Sequence, residues 1–225
     1  MIIAIDGPAG GGKSSVAKIV AGKLKYRHID TGAMYRAVAW KAQQLKMDLG
    51  DHEKVTEMTG KLDIQLIASA EKQTILVDGQ DITGFLKNEI IGRDAATVAS
   101  QKAVREILVA KQQAMGQTGE IVMDGRDIGT VVFPHADRKF FLDADPEERG
   151  LRRYKELKNK TPDVDLGSII EQVKKRDAED KNRKVSPLKK AADAVLIDTT
   201  HLNIDEVVNQ IMQWIESPEK NLNLL

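Results

Sequence analysis

No cysteine occurs anywhere in the 225 residues. That excludes disulfides, thiolate metal sites and a cysteine nucleophile, and it suits the cytoplasm. No run comes near the ~18 consecutive apolar residues of a membrane-spanning helix. The chain opens on strand and loop rather than on a basic segment leading into a long apolar stretch, so no secretory leader is expected. Net charge is missing too: 34 Lys and Arg balance 34 Asp and Glu. Bulk attraction to nucleic acid or to an anionic membrane therefore has no source. There is no internal repeat, no low-complexity linker and no Asn-Lys-x-Asp guanine signature. What remains is a cytoplasmic globular protein, taken as a monomer, whose partners are small molecules. The balanced charge is unevenly placed, with 14 Lys or Arg against 7 Asp or Glu over residues 149–190. That excess fits a small polyanion, and equally a solvated helical face.

What is present begins at Gly7-Pro8-Ala9-Gly10-Gly11-Gly12-Lys13-Ser14, a G-x-x-x-x-G-K-S phosphate loop. Ile2-Ile3-Ala4-Ile5 before it suits a buried parallel strand, and Ser15 to Leu24 after it carries core spacing for a helix. A glycine-rich turn between a strand and a helix N-terminus aims successive backbone N–H groups at one phosphate. Gly7 to Ser15 would hold the triphosphate, with Lys13 on the β- and γ-phosphates and Ser14 on Mg²⁺. The motif indicates a nucleoside triphosphate and says nothing of the acceptor.

Further apolar runs at 27–30, 120–124, 138–143 and 194–198 each end near an acidic residue and precede a helix-like segment. Alternation of this kind predicts an α/β fold, a parallel sheet flanked by helices, with ligands beyond the carboxyl ends of the strands. Asp30, Asp124 and Asp143 then lie near the nucleotide. Asp124 is expected to serve the metal through water, with helix capping as its alternative. One stretch breaks the alternation. Residues 62–67 and 73–78 read as an antiparallel hairpin, with a short third strand at 81–83. Residues 86–116 read as largely helical, and a last helix runs from Ile204 to Ile215 with Asn203 as its cap.

Arginines cluster beside turns and in polar helices. Arg36 follows Asp30-Thr31-Gly32-Ala33-Met34-Tyr35, and Arg126 sits in Asp124-Gly125-Arg126-Asp127-Ile128-Gly129-Thr130. Arg149, Arg152 and Arg153 share one helix after Asp145-Pro146, while Arg176, Asp180 and Arg183 stand at i, i+4 and i+7 on one predicted face. Arg36 could instead be a surface residue at a helix start, and the helical arginines could form solvated faces with local ion pairs. The four histidines show no metal-ligand spacing and receive no role.

The phosphate loop, Asp30-Thr31-Gly32-Ala33-Met34-Tyr35-Arg36, the run Asp124 to Pro134, Phe141-Leu142-Asp143-Ala144 and Arg176 to Arg183 together resemble the bacterial cytidylate kinases. The likeness covers nearly the whole chain. It implies a nucleoside monophosphate kinase fold with a helical lid near 148–166 and an acceptor-side insertion at 62–84 set between core segments 1–61 and 85–225. It implies Mg²⁺-dependent transfer from ATP to CMP and dCMP. Arg36, Arg126 and Arg183 would hold the acceptor phosphate. Thr31, Arg105 and Asp127 would read cytosine, and Arg176 and Asp180 the sugar. Lys13, Arg126, Arg183 and the lid arginines Arg149 and Arg153 would serve the transfer. A serine that members of the family carry near the sugar is replaced here by Ala96, beside Thr97, which bears on the choice between ribose and deoxyribose.

Overall fold

The computed structural model describes residues 1–68, 73–158 and 164–216. Its centre is a five-stranded sheet in which every neighbouring pair is parallel. β1 (Ile2–Asp6) lies in the middle, with β6 (Ile121–Gly125) and β7 (Arg138–Asp143) on either side. β2 (Arg27–Asp30) and β8 (Val195–Asp198) are the edges, giving the order β2-β6-β1-β7-β8.

The central strands read as unbroken apolar runs because helices cover both faces. Side chains alternate between those faces. Ile3, Ile5, Val122, Phe140 and Leu142 point one way, beneath α1 (Lys13–Leu24) and α8 (Ile204–Glu216). Ala4, Ile121 and Met123 point the other way, packing with Ile29, Ile128 and Val132. α8 starts as expected from Asn203, whose Oδ1 accepts from Glu206 N at 3.0 Å while Glu206 Oε2 accepts from Asn203 N at 2.7 Å. That reciprocal pair satisfies two N–H groups of the helix start.

The third layer is built from α2 (Thr31–Gln44), α3 (His52–Lys61), α4 (Glu89–Ser100) and α5 (Lys102–Gly116). A small antiparallel sheet joins it: β3 (Ile64–Ala68), β4 (Gln73–Val77) and β5 (Gln80–Asp81). Ile64, Ile75, Val77 and Ile82 share one apolar cluster with Met34, Val38 and Trp40 of α2 and with Ile91, Val98, Val104 and Leu108 of α4 and α5. The hairpin is thus anchored by its buried face. Its third strand covers Gln80–Asp81 rather than 81–83, because Thr83 turns back to donate to Asp81 Oδ1 at 2.6 Å. Residues 69–72, between β3 and β4, lie outside the described residues.

α6 (Pro146–Lys158) and α7 (Leu166–Asn182) form the arm that contains the expected lid. Its residues 159–163 lie outside the described residues. The two helices touch closely at Gly150, where a β-carbon would come within 2.5 Å of Ile170 Cγ1. The expectation that Arg176, Asp180 and Arg183 share one helix face needs correcting. α7 ends at Asn182, and Arg183 is already extended, with φ −60° and ψ 132°. It turns back to Asp180 from outside the helix.

Candidate active site

The phosphate loop leaves the carboxyl end of β1 and enters α1, the position that α/β sheets reserve for ligands. Two glycines there are demanded by geometry. A β-carbon on Gly7, at φ +147°, would lie 2.0 Å from Leu142 O. Gly12, at φ +77°, starts α1 from the left-handed region without a side-chain cap. The first backbone N–H groups of α1 are therefore left for an anion. Lys13 is buried and its Nζ donates to Pro8 O at 2.5 Å. Burial, then the like charge of Arg126, lowers its pKa to about 7 against the opposing pull of Asp124, Asp6 and Asp180.

Ser14 Oγ donates to Asp124 Oδ2 at 2.6 Å. Asp124 ends neither as a helix cap nor as a surface group. It is 2 % exposed, within β6, and His28 Nε2 donates to its other oxygen at 2.7 Å. Burial pushes its carboxyl up, but the bonds and charges of His28, Ser14 and Lys13 together hold it below the usual carboxylate range. A hydroxyl beside a buried carboxylate offers the hard oxygen ligands that Mg²⁺ takes. Among the described residues no cluster of three or more His, Cys, Asp or Glu could hold a metal by itself.

Asp6, the last residue of β1, accepts from Ile128 N at 2.8 Å and Gly129 N at 2.7 Å. It pins the π-helical turn Ile128–Val132 that follows Arg126 and Asp127. Burial outweighs those two bonds and pushes the Asp6 pKa up to about 6. Asp127 accepts from Arg105 Nη2 at 2.6 Å, and both are buried. The Arg105 guanidinium also donates to Ala99 O at 3.0 Å and lies 5.2 Å from the ring centroid of Tyr35. Thr31 Oγ1 donates to Asp124 O at 2.8 Å, which leaves its oxygen lone pairs as acceptors beside the same turn.

Asp180 collects the remaining arginines. Its Oδ2 accepts from Arg126 Nε at 2.9 Å and its Oδ1 from Arg183 Nη1 at 3.0 Å. Arg176 has a buried Nε with no hydrogen-bond partner among the described residues. Burial lowers its pKa, and the charges of Arg126, Arg36 and Arg153 add to the fall. Three arginines, Arg126, Arg176 and Arg183, thus gather on one carboxylate, and Arg36 stands near enough to act on Arg176, a surplus of positive charge that suits an anion. Arg36 is further steadied by Asp30, 2.8 Å away, which also caps α2 by accepting from Ala33 N at 3.1 Å.

The two expected lid arginines fare differently. Arg149 is 2 % exposed and fully engaged. Its Nε donates to Ala144 O at 2.8 Å, and Nη1 donates to the loop carbonyl of Ala9 at 2.9 Å and to Asp177 Oδ1 at 3.0 Å. Nη2 donates to Asp177 Oδ2 at 2.5 Å. Arg153 is half-buried and pairs with Glu89 of α4 and with Glu156. Asp143 is spent locally, its carboxylate accepting from Ala144 N at 2.9 Å. Ala96 and Thr97 lie within α4.

Sequence reasoning passed over four members of this network: Asp6, His28, Asp177 and Tyr35. Asp6 carried a signal, an acidic residue at a strand end directly before the loop. Asp177 sat in a charged helix where every residue had a nearby ion-pair alternative. His28 had no pattern to betray it, since its partner lies 96 residues away.

Arg126 is held by Asp180 while its charge acts on the lysine of the phosphate loop. A phosphate loop joined through one arginine to a second cluster of cationic side chains is an arrangement suited to phosphoryl transfer. Comparison with known proteins narrows the class. The family model described as Cytidylate kinase matches residues 3–217. A cytidylate kinase of Bacillus subtilis (strain 168) is 48 % identical over 218 residues, covering 97 % of each chain. One of Desulforamulus reducens is 50 % identical over 214 residues, covering 95 % of this chain and 96 % of its own. The chain belongs to the cytidylate kinase family. A crystal structure of an uncharacterized protein from Eubacterium ventriosum superposes with a TM-score of 0.53 at 14 % identity. It covers 96 % of this chain and 99 % of its own, a likeness of fold alone.

Proposed function

We propose that the chain transfers the γ-phosphoryl group of ATP to CMP, and to dCMP, with Mg²⁺, giving the diphosphates. The observation that carries this reading is the place of Arg126, between Lys13 of the donor loop and the Asp180 cluster. Phosphoryl transfer asks the protein for positioning and for countercharge rather than for covalent chemistry. The acceptor phosphate is already anionic near neutral pH, so no strong general base is needed.

In this reading the backbone of Gly7 to Ser15 and the charge of Lys13 hold the donor phosphates. Bound Mg²⁺, held by Ser14 and through water by Asp124, would supply countercharge to them. Arg36, Arg126 and Arg183 hold the acceptor phosphate in line. Arg176 and Asp180 take the sugar, the free Arg176 Nε providing a donor already stripped of water. Arg105 orients Asp127, and Asp127 and Thr31 accept from the exocyclic amine of cytosine. Uracil presents a carbonyl there, which would face a carboxylate without a proton between them. An unpaired polar group of that kind costs roughly 1–3 kcal/mol, about one to two orders of magnitude in selectivity. Arg153 joins the transferring group as the arm closes and excludes water, while Arg149 acts from its buried place by holding the loop through Ala9 O. The enzyme would work as a cytoplasmic monomer; no helix among the described residues is long and apolar enough to cross a membrane.

An acceptor screen tests this. CMP, dCMP, UMP, AMP and GMP are offered with ATP and Mg²⁺, and ADP formation is followed. CMP and dCMP lead, and UMP trails by about ten- to hundredfold. Preference for a purine monophosphate, or ADP formation indifferent to CMP, overturns the assignment.

A further inference from the structure

The Asp124 carboxylate is fixed from two directions. Ser14 Oγ, on α1, donates to Oδ2 at 2.6 Å. His28 Nε2, on edge strand β2, donates to Oδ1 at 2.7 Å. His28 pairs with Val122 in the sheet register, two residues before Asp124, so its ring reaches forward along the same face. Its own backbone carbonyl accepts from Gln73 Nε2 at 3.1 Å, which holds the strand where the ring can reach. The ring is largely buried and Asp124 almost completely so. A buried carboxylate held at one oxygen turns about its last bond; held at both, it keeps one plane.

We propose that His28 is a positioning residue for the phosphoryl transfer. It holds the Asp124 carboxylate in the plane that presents it, beside Ser14, to the divalent cation accompanying the nucleotide. The inference rests on the reading of Ser14 and Asp124 as the cation-side residues. Groups that orient a metal-side ligand in this way commonly change metal affinity or activity by 10–100-fold. The competing account makes His28 a plain structural bond that ties β2 to β6. The two accounts differ in what they move. A structural bond changes stability and all ligand binding together. A positioning bond changes the part of nucleotide binding that depends on Mg²⁺.

The test measures the ADP dissociation constant by calorimetry with and without Mg²⁺, beside kcat and KM for CMP. His28→Phe keeps a ring and removes the donor. His28→Gln returns an amide N–H at similar reach. In His28→Phe the gain in ADP affinity from Mg²⁺ falls about tenfold, kcat falls by a similar factor, and Mg²⁺-free affinity and KM for CMP stay within about twofold. His28→Gln recovers to within about threefold of wild type. Combined with Asp124→Asn, His28→Phe adds no further loss of the Mg²⁺-dependent gain, because it acts through Asp124. An unchanged Mg²⁺ gain in His28→Phe overturns the proposal. So does His28→Gln as impaired as His28→Phe, an equal loss without Mg²⁺, or additivity with Asp124→Asn. Should His28→Phe fail to fold, His28→Asn, whose amide is too short to span the gap, takes its place with the same criteria. Wild-type ADP binding indifferent to Mg²⁺ overturns the cation-side reading, and this inference with it. A wrong acceptor assignment shows separately, as ordinary Mg²⁺-dependent ADP binding without CMP-dependent turnover.

Discussion

Asp177→Ala removes the carboxylate that both terminal nitrogens of Arg149 grip, at 3.0 and 2.5 Å. Arg149 cannot follow the vacated charge to water, because its Nε and Nη1 remain tied to Ala144 O and Ala9 O. A guanidinium left buried without its counter-ion costs about 3–5 kcal/mol. For a chain of this size, each kcal/mol lowers the midpoint by roughly 2–4 °C, so a fall of about 6–20 °C is expected. Urea and thermal unfolding of purified protein read it directly. Asp177→Asn retains one acceptor and falls about half as far. Arg149→Met with Asp177→Leu replaces the pair by apolar volume and recovers most of the loss, since desolvation had offset much of the pair's attraction. ADP affinity still drops in that double variant, because Ala9 O has lost its donor. A midpoint within about 2 °C of wild type in Asp177→Ala would refute the claim that this pair fastens α7 to α6.

Three further outcomes are expected. Asp127→Asn should lower the CMP-to-UMP ratio of kcat/KM about 10–100-fold while the KM for ATP stays within about twofold; an unchanged ratio removes Asp127 from base readout. Asp6 has a pKa raised to about 6, so its protonated form favours the fold, and that stabilisation is lost as pH rises from about 4 through 6. The stability of Asp6→Asn relative to wild type should accordingly climb by about 2 kcal/mol between pH 4 and pH 7 in urea unfolding, and a difference flat with pH contradicts it. Gly150→Ala drives a β-carbon to 2.5 Å from Ile170 Cγ1 and 3.2 Å from its Cα, prising α6 from α7 at a cost of about 1–3 kcal/mol; an unaltered melting point would show that the contact yields freely.

The sheet was legible because burial on both faces writes itself as apolar runs, and even edge strand β2 stood where Arg27-His28-Ile29-Asp30 suggested. The phosphate loop was legible because its geometry needs glycine at fixed places. The arginines could be named from motifs, but their partners could not. Asp180 lies 54 residues from Arg126, and Asp177 lies 28 from Arg149. Charged helices offer each side chain several neighbours at i+3 and i+4, and only the tertiary arrangement chooses among them. Arg183 shows the cost of extending a period too far. Spacing alone kept it on the face of α7, whereas the helix stops one residue earlier.

Asp6 holds the turn behind Arg126 and Asp127 from the very residue that precedes Gly7. In the proposed reading, donor cradle and acceptor reader hang from adjacent strand ends with a single carboxylate as their common hinge pin, and the gap between them is a property of the sheet. The layer of α2 to α5, with its small antiparallel sheet, joins that turn through Arg105, which grips Asp127, rather than through Asp6. On the same reading, substitutions in it away from Thr31, Arg36 and Arg105 can alter which molecule is admitted without retuning how far a phosphoryl group must travel. Such an arrangement separates the evolution of substrate choice from that of chemistry, and laboratory selection for new acceptors should begin in that layer.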